Sequence, residues 1–227
     1  MTSLRAFTLL FLLWTSRALW AADPPTANGS APARGRIVVL GDSITAGYGL
    51  DPAQAYPALL QQKIDAARLP FTVLNAGVSG DTTAGGLRRI DWALGRGADV
   101  LIVALGGNDG LRGIAPQQTA ENLAGLIQRA RAKAPAILVI VAGMQMPANM
   151  GREFVAQFSA VFPALAAEHQ AALVPFLLEG VGGVAELNQP DLIHPNAEGQ
   201  KRVADNVWKV LEKVLTERGA PQKDASK

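Results

Sequence analysis

Short runs of apolar residues alternate with longer amphipathic segments along most of the chain. The short runs are continuous, which is typical of strands buried on both faces of a sheet. They predict strands at 37–40, 71–74, 100–105, 137–142 and 172–176. In the longer segments apolar residues recur every three or four positions, which predicts helices at 56–68, 82–94, 117–133, 152–169 and 196–217. Pro163 can kink or divide the fourth of these helices.

This alternation predicts an α/β fold in which a five-stranded parallel sheet lies between two layers of helices, a three-layer α/β/α sandwich. In such sheets the functional residues lie in loops beyond the carboxyl ends of the strands. Polar and glycine-rich segments follow the first three predicted strands, at 41–43, 75–81 and 106–109. We therefore expect the candidate site at the carboxyl edge of the sheet.

The two ends of the chain differ in composition from the rest. Residues 1–22 contain Arg5, an apolar stretch at 6–14 and small residues near position 22, which predicts a signal peptide and a periplasmic or secreted protein. The apolar stretch is too short to span a bilayer, so we expect no stable membrane insertion after cleavage; an uncleaved N-terminal anchor is the alternative. Residues 23–35 predict a flexible leader and residues 218–227 a disordered tail, which leaves one domain at 36–217.

Charge and cysteine content narrow the function classes. Without Arg5 and Arg17 of the predicted signal peptide, the chain has 19 basic and 19 acidic residues. A net charge near zero makes no case for a nucleic-acid partner. Cysteine is absent, which excludes disulfides and thiolate metal sites. A hydrolase with a base-activated nucleophile would then need a serine, a histidine and a nearby carboxylate.

Only two histidines are available as the base. His194 follows Asp191 by three residues in a predicted loop, a spacing that can place both side chains on one side so that the carboxylate orients the imidazole. The alternative is a solvated surface loop. His169 ends a predicted helix, where interaction with the helix dipole is a sufficient structural role. His194 is therefore the preferred base.

Ser43, Gly80 and Asn108 each follow a predicted strand in a glycine-containing turn. Ser43 would project over the sheet edge as a nucleophile, although Ser and Asp are also good helix caps and the chain lacks the G-x-S-x-G of the usual nucleophile elbow. The Gly80 N–H and the Asn108 amide are candidate donors to an oxyanion. Ordinary turn chemistry is the alternative for both.

Apolar residues in two loops are candidates for binding an acyl chain. Met144 and Met146 lie in the loop after the fourth predicted strand, and methionine forms adaptable apolar walls. Leu111 and Ile114 follow Asn108 in a mostly apolar segment and can form a second wall. Plain core or loop packing is the alternative for the methionines.

Taken together, these segments resemble the SGNH hydrolases, also called the GDSL family. Four blocks of that family have counterparts in the same order: Gly41-Asp42-Ser43-Ile44 with Gly47, then Gly80, then Gly106-Gly107-Asn108-Asp109, then Asp191-Leu192-Ile193-His194-Pro195. The resemblance runs from about residue 36 to residue 214. It is strongest to the secreted bacterial branch of arylesterases, acyl-CoA thioesterases and lysophospholipases.

The resemblance implies a flavodoxin-like SGNH fold and a role for each matching residue. Ser43 would be the nucleophile, His194 the general base and acid, and Asp191 its orienter. The Ser43 N–H, the Gly80 N–H and the Asn108 side chain would form the oxyanion hole.

We therefore expect a secreted serine hydrolase that cleaves carboxylic esters or thioesters through an acyl-enzyme on Ser43. Its partner would be a small-molecule acyl ester or thioester, and no cofactor or metal is implied. Two alternatives stay open: a carbohydrate deacetylase, and a non-catalytic module that binds an acyl or glycan ligand on the same fold.

Overall fold

The computed structural model describes residues 34–219, with side chains to residue 217. The predicted signal peptide, almost all of the predicted leader and residues 220–227 of the predicted tail lie outside the described residues. Five strands run through the described part: β1 (Gly35–Gly41), β2 (Phe71–Gly77), β3 (Val100–Ala104), β4 (Leu138–Ala142) and β5 (Ala172–Val174).

Seven α-helices lie within residues 34–219: α1 (Ser43–Ala46), α2 (Tyr56–Ala66), α3 (Thr83–Ala93), α4 (Gly107–Leu111), α5 (Pro116–Lys133), α6 (Arg152–Glu168) and α7 (Ala197–Gly219). Short 3-10 turns lie at Pro52–Gln54, Ala148–Met150 and Ala185–Leu187. None of the helices in this part of the chain combines the length and the apolar character that crossing a membrane requires.

The five strands form one parallel sheet in the order β2-β1-β3-β4-β5. The chain steps from β1 to β2 in one direction and then back across β1 to β3, β4 and β5. Because parallel crossovers are right-handed, this reversal puts α2 on one face and α3, α5 and α6 on the other. The packing agrees, since α7 contacts α2, and α5 contacts both α3 and α6. The predicted three-layer sandwich is confirmed.

The reversal also decides where a site can form. Strand order changes direction between β1 and β3, and the carboxyl ends of these two strands diverge into loops on opposite faces. A crevice opens at such a point in a parallel sheet. The segments that carry Ser43 and Asn108 follow β1 and β3, so both begin at this crevice.

The central strands are buried on both faces, as their continuous apolar sequences predict. The side chains of residues 37–40 in β1 and 100–103 in β3 have at most 1% exposure. β2 differs because it is an edge strand, and the Leu74 side chain is 44% exposed. It also extends three residues past its predicted end, because its backbone pairs with β1 as far as Gly77 after the apolar residues stop.

Two other strand ends correct the predictions. Gly35, expected in the flexible leader, begins β1 and pairs with Phe71. β5 ends at Val174, two residues early, because Pro175 has no N–H with which to continue a ladder. The ends of β3 and β4 lie within one residue of their predicted positions.

The helices agree with the periodicity except where they are very short. α6 continues through Pro163 as one helix, and its Phe158, Phe162 and Leu165 are buried in the core. α7 runs to Gly219, two residues into the predicted tail. α1 and α4 were not predicted, because helices of four and five residues are too short to show an apolar repeat.

Candidate active site

Ser43 is the first residue of α1, and only Asp42 separates it from the end of β1. Gly41 cannot carry a side chain here, because a Cβ would lie 1.9 Å from the Thr45 hydroxyl oxygen. Asp42 caps the helix by accepting a hydrogen bond from the Ile44 N–H at 3.0 Å. Because Asp42 makes the cap, the hydroxyl of Ser43 is free for another partner.

The structure brings Ser43, His194 and Asp191 together in one hydrogen-bonded chain. His194 Nε2 lies 2.9 Å from Ser43 Oγ, and His194 Nδ1 lies 2.7 Å from Asp191 Oδ2. The other Asp191 oxygen accepts the backbone N–H groups of Ile193 and His194 at 2.9 and 3.0 Å. The N–H of His194 and then its imidazole lower the pKa of Asp191 to about 2. The ionised carboxylate favours the tautomer with the proton on Nδ1, which leaves Nε2 to accept the serine proton.

A tight loop places Asp191 and His194 on one side. Leu192 has a φ of 59°, a left-handed conformation that is uncommon outside glycine. The backbone N–H of Gln189 donates to the His194 carbonyl oxygen at 2.8 Å. The side-chain amide of Gln189 donates to the Tyr48 carbonyl oxygen at 2.6 Å. The loop is thereby fastened to the segment that follows the nucleophile.

Tyr48 is a site residue that sequence reasoning missed as a functional residue. Its ring centroid lies 4.7 Å from that of the His194 imidazole, with the planes tilted by 39°. The side chain is 52% exposed, so it forms a solvent-facing wall beside the triad. Its place five residues after Ser43, at the end of the first stretch that resembles the family, is a signal, but it does not indicate a contact with a residue near position 194.

The predicted oxyanion donors lie in segments that contact one another at the same sheet edge. Asn108 is the second residue of α4, and its Nδ2 donates to the Asp81 carbonyl oxygen at 2.9 Å. This bond orients the amide and uses one of its two N–H groups. Gly80 has a φ of 79°, which favours glycine. The Val78 N–H donates to the Gly41 carbonyl oxygen at 3.0 Å, which ties the Gly80 loop to the end of β1.

An apolar pocket of about 340 Å³ begins beside these groups, because its lining includes Ile44, next to the nucleophile, and Gly107, next to Asn108. Three of the four predicted acyl-binding residues line it: Leu111, Met144 and Met146. Ile114, the fourth, is not among the residues that line it. Its segment turns back through Gly113, with a φ of 67°, and the Ile114 N–H donates to the Asp109 carbonyl oxygen of α4 at 2.9 Å.

Part of the lining was not predicted. It comes from the loops after β5 and from the segment between the two triad residues: Phe176, Leu178, Gly182, Gly183, Leu192 and Ile193. Nothing in their local sequence relates them to the loop after β4, and only the fold brings the two segments to one cavity.

Three further aspartates surround the site. Burial raises the pKa of Asp42 to about 6, although the Ile44 N–H and His194 act in the opposite direction. Asp109 is fully buried and accepts the Thr83 N–H at 2.9 Å as well as the Thr83 hydroxyl. Asp81 pairs with an arginine of α3. Within residues 34–219, no group of three His, Asp or Glu side chains is placed to hold a metal ion.

The structure does not bring His169, the rival base, to this site. It ends α6 at the opposite, amino edge of the sheet, three residues before β5. Its carbonyl oxygen accepts a hydrogen bond from Arg131 at 2.5 Å, and its Nε2 is buried without a hydrogen-bond partner in the described part of the chain.

Comparison with known proteins agrees with this geometry. The model of the GDSL-like lipase/acylhydrolase family matches residues 39–202. The chain belongs to this family. Esterase TesA of Pseudomonas aeruginosa is 47% identical over 180 residues, which cover 79% of this chain and 89% of that protein. The thioesterase 1/protease 1/lysophospholipase L1 of Escherichia coli K12 is 39% identical over 186 residues, covering 82% of this chain and 87% of that protein.

A solved structure extends the agreement to three dimensions. The crystal structure of TesA has a TM-score of 0.75 and 45% sequence identity, and covers 79% of this chain and 99% of its own. The resemblance to the SGNH/GDSL family and the expected fold are therefore confirmed. As a member of this family the protein is a hydrolase, and its four family blocks meet at one edge of the sheet.

Proposed function

We propose that this protein is an exported serine hydrolase that transfers the acyl group of a carboxylic ester or thioester to Ser43 and then to water. The observation that carries the proposal is the chain of hydrogen bonds from Ser43 through His194 to Asp191, beside an apolar pocket. The names of the two relatives, esterase and thioesterase/lysophospholipase, support this substrate class.

In the first half-reaction, Ser43 Oγ attacks the acyl carbonyl carbon while His194 Nε2 takes the hydroxyl proton. Negative charge develops on the carbonyl oxygen. The backbone N–H groups of Ser43 and Gly80 and the second N–H of the Asn108 amide are the donors assigned to it. When the intermediate collapses, the C–O or C–S bond breaks and His194 gives the proton to the leaving oxygen or sulfur.

In the second half-reaction, water replaces the leaving group. His194 takes a proton from the water as its oxygen attacks the acyl carbon, and returns that proton to Ser43 Oγ when the carboxylic acid leaves. Asp191 stays ionised throughout and holds the imidazolium that forms at each stage. No step needs a cofactor.

The pocket supports an apolar acyl chain over a sugar. Gln145 is the only residue with a polar side chain among those that line it, and a glycan would leave its hydroxyl groups unpaired against such a wall. Met144 and Met146 are nearly buried and can adjust to chains of different shape. The leaving group then lies on the exposed side, where Tyr48 stands beside His194.

Labelling with a serine-directed fluorophosphonate tests the nucleophile. We expect stoichiometric labelling of the wild type at Ser43 and none in Ser43→Ala. Ser159→Ala is the matched control, because that hydroxyl donates to a helix carbonyl in α6 and should not affect labelling. An unlabelled wild type would identify a binding module in place of an enzyme.

A substrate panel tests the class. We expect the enzyme to hydrolyse nitrophenyl esters of increasing chain length, acyl-CoA and lysophospholipid. Among the nitrophenyl esters, one with an acyl chain longer than acetyl should have the highest kcat/KM, because the pocket is apolar. Activity confined to acetylated sugars would assign a carbohydrate deacetylase.

Export is proposed on the sequence pattern of residues 1–22. Expressed with its own N-terminus in a Gram-negative host, the protein should appear in the periplasm or medium without these residues, as read by N-terminal sequencing. Recovery of the full-length chain in the membrane fraction would instead identify an uncleaved anchor.

A further inference from the structure

One arginine side chain joins the end of β1, which leads to the nucleophile, to the loop after β2, which contains Gly80. Arg89 of α3 donates through Nε to Asp81 Oδ2 at 2.6 Å, through Nη1 to the Ala76 carbonyl oxygen at 2.7 Å, and through Nη2 to the Gly41 carbonyl oxygen at 2.9 Å. The Arg89 and Asp81 side chains are only 17% and 11% exposed. The pair is therefore largely shielded from water.

The three acceptors lie in the two segments that lead to Ser43 and to Gly80. Gly41 ends β1, two residues before the nucleophile, and Ala76 lies at the end of β2, which leads to Gly80. Asp81 follows Gly80 directly, and its own carbonyl oxygen orients the Asn108 amide at 2.9 Å. The guanidinium thus joins the nucleophile segment to the Gly80 loop, and Asp81 of that loop in turn holds the Asn108 amide.

The surroundings of the pair are built to hold it in place. A Cβ on Gly85 would lie 1.6 Å from Asp81 Oδ1, so the helix can approach the carboxylate only with glycine there. Asp81 Oδ1 also accepts the Thr82 N–H at 3.1 Å. By contrast, Arg129 lies at the surface, where its guanidinium donates to the Leu87 carbonyl oxygen.

We propose that Arg89 and Asp81 are positioning residues for the oxyanion hole, and that they hold the Gly80 N–H and the Asn108 amide at the right distance from Ser43. The inference rests on the proposed function, and neither residue touches the substrate. Arginine is required because its planar fork reaches three acceptors at fixed angles, whereas lysine presents a single ammonium.

The test is a double-mutant cycle between Arg89→Lys and Asn108→Ala, measured as kcat on a nitrophenyl ester. Displacement of a catalytic group by about 1 Å can cost up to about 10²-fold, so we expect Arg89→Lys to lower kcat on the order of 10- to 100-fold with little change in KM. In the Asn108→Ala background the same substitution should cost several-fold less than in the wild type, because one of the two donors it positions is already gone and only the placement of the Gly80 N–H is still affected. Arg129→Lys is the matched control and should leave kcat unchanged.

Binding measurements separate positioning from a general loss of folding. Arg89→Lys should weaken a boronic acid that forms a tetrahedral adduct with Ser43 by about the same factor as kcat, while a fatty acid bound in the pocket keeps its affinity. If Arg89→Lys folds poorly, Asp81→Asn replaces it in the test. This substitution keeps the size of the side chain and should give the same pattern.

The outcomes are distinguishable. An Arg89→Lys enzyme with wild-type kcat, or one whose loss is fully additive with Asn108→Ala, would overturn the inference and leave the proposed function intact. A wild type that is neither labelled by fluorophosphonate nor active on any ester would overturn the proposed function itself.

Discussion

The two histidines of this chain lie at opposite ends of the same sheet and differ in what surrounds the imidazole. His194 has a partner on each ring nitrogen, an ionised carboxylate and a serine hydroxyl. His169 ends a helix, and its Nε2 is buried without a hydrogen-bond partner among residues 34–219. A histidine acts as a base when one nitrogen is oriented by an acceptor and the other faces a proton donor, and only His194 meets both conditions.

The two environments also differ in how they are built. The His194 side is made of loops at the carboxyl edge, joined by hydrogen bonds between segments as far as 151 positions apart. The His169 side is a helix end that leads into a strand, stabilised by local contacts and by Arg131. We therefore expect a catalytic role for His194, where distant loops meet, and a structural role for His169, where a helix ends.

Exchange of either histidine for alanine is the most direct way to break the comparison. His194→Ala should lower kcat/KM on the order of 10⁴–10⁶-fold, because the serine loses its base. His169→Ala should retain activity within about two-fold of the wild type, since it is remote from the serine. Steady-state kinetics on one nitrophenyl ester measure both. An inactive His169→Ala with an active His194→Ala would reverse the assignment.

Asn108→Ala tests whether the carboxyl edge supplies charge stabilisation as well as a base. We expect kcat to fall on the order of 10²–10³-fold with a smaller effect on KM, because the amide acts mainly when charge develops on the carbonyl oxygen. Thermal unfolding of the same variant addresses the turn alternative. Unchanged kcat with a lowered melting temperature would leave Asn108 as a turn residue only.

Asp42→Asn tests how much stability the protein loses by ionising a buried carboxyl group at the carboxyl edge of the sheet. Burial raises the pKa of Asp42 to about 6. The folded state therefore binds this proton more tightly than the unfolded state does. The resulting stabilisation is complete while both states are protonated and is lost as pH rises from about 4 through 6. The carboxamide introduced by the substitution keeps the helix cap without a charge. The free energy of unfolding of the variant minus that of the wild type should therefore increase between pH 4 and pH 8, by on the order of 2–3 kcal/mol.

Denaturant unfolding at the two pH values measures this difference. Asp51→Asn is the control, because Asp51 caps an exposed turn and its carboxylate remains hydrated. Asp191 adds little in this window, since its pKa near 2 and that of an unfolded aspartate near 3.9 both lie at or below pH 4. A difference that does not change with pH would show that Asp42 is solvated in the folded protein.

His169→Leu gives the smallest expected effect and sharpens the contrast from the other side. Replacing an unpaired buried polar atom by an apolar group removes a desolvation cost, so the free energy of unfolding should stay the same or rise by up to about 1 kcal/mol. Chemical denaturation at pH 8 measures it. A loss of more than about 1 kcal/mol would show that the imidazole makes a stabilising contact.

The sequence determined the element types and the layers of this protein. Continuous apolar runs such as 100–103 predict strands buried on both faces, and they are, because period and burial are local properties of the residues. Local patterns do not reach beyond the apolar residues: they end β2 at Leu74, whereas pairing with β1 continues to Gly77. The helices that carry Ser43 and Asn108 are too short to leave any periodic signal.

For the site, the sequence placed Ser43, Gly80 and Asn108 at strand ends, and parallel topology alone then puts them on one edge. The tertiary structure decided the rest. It brought His194 to Ser43, placed Tyr48 against the imidazole, brought the loops after β4 and β5 to one pocket, and gave Arg89 three acceptors on two segments. These contacts depend on strand register, crossover direction and loop conformation. No local pattern of residue types contains them, because each joins segments that are neighbours only in the folded chain.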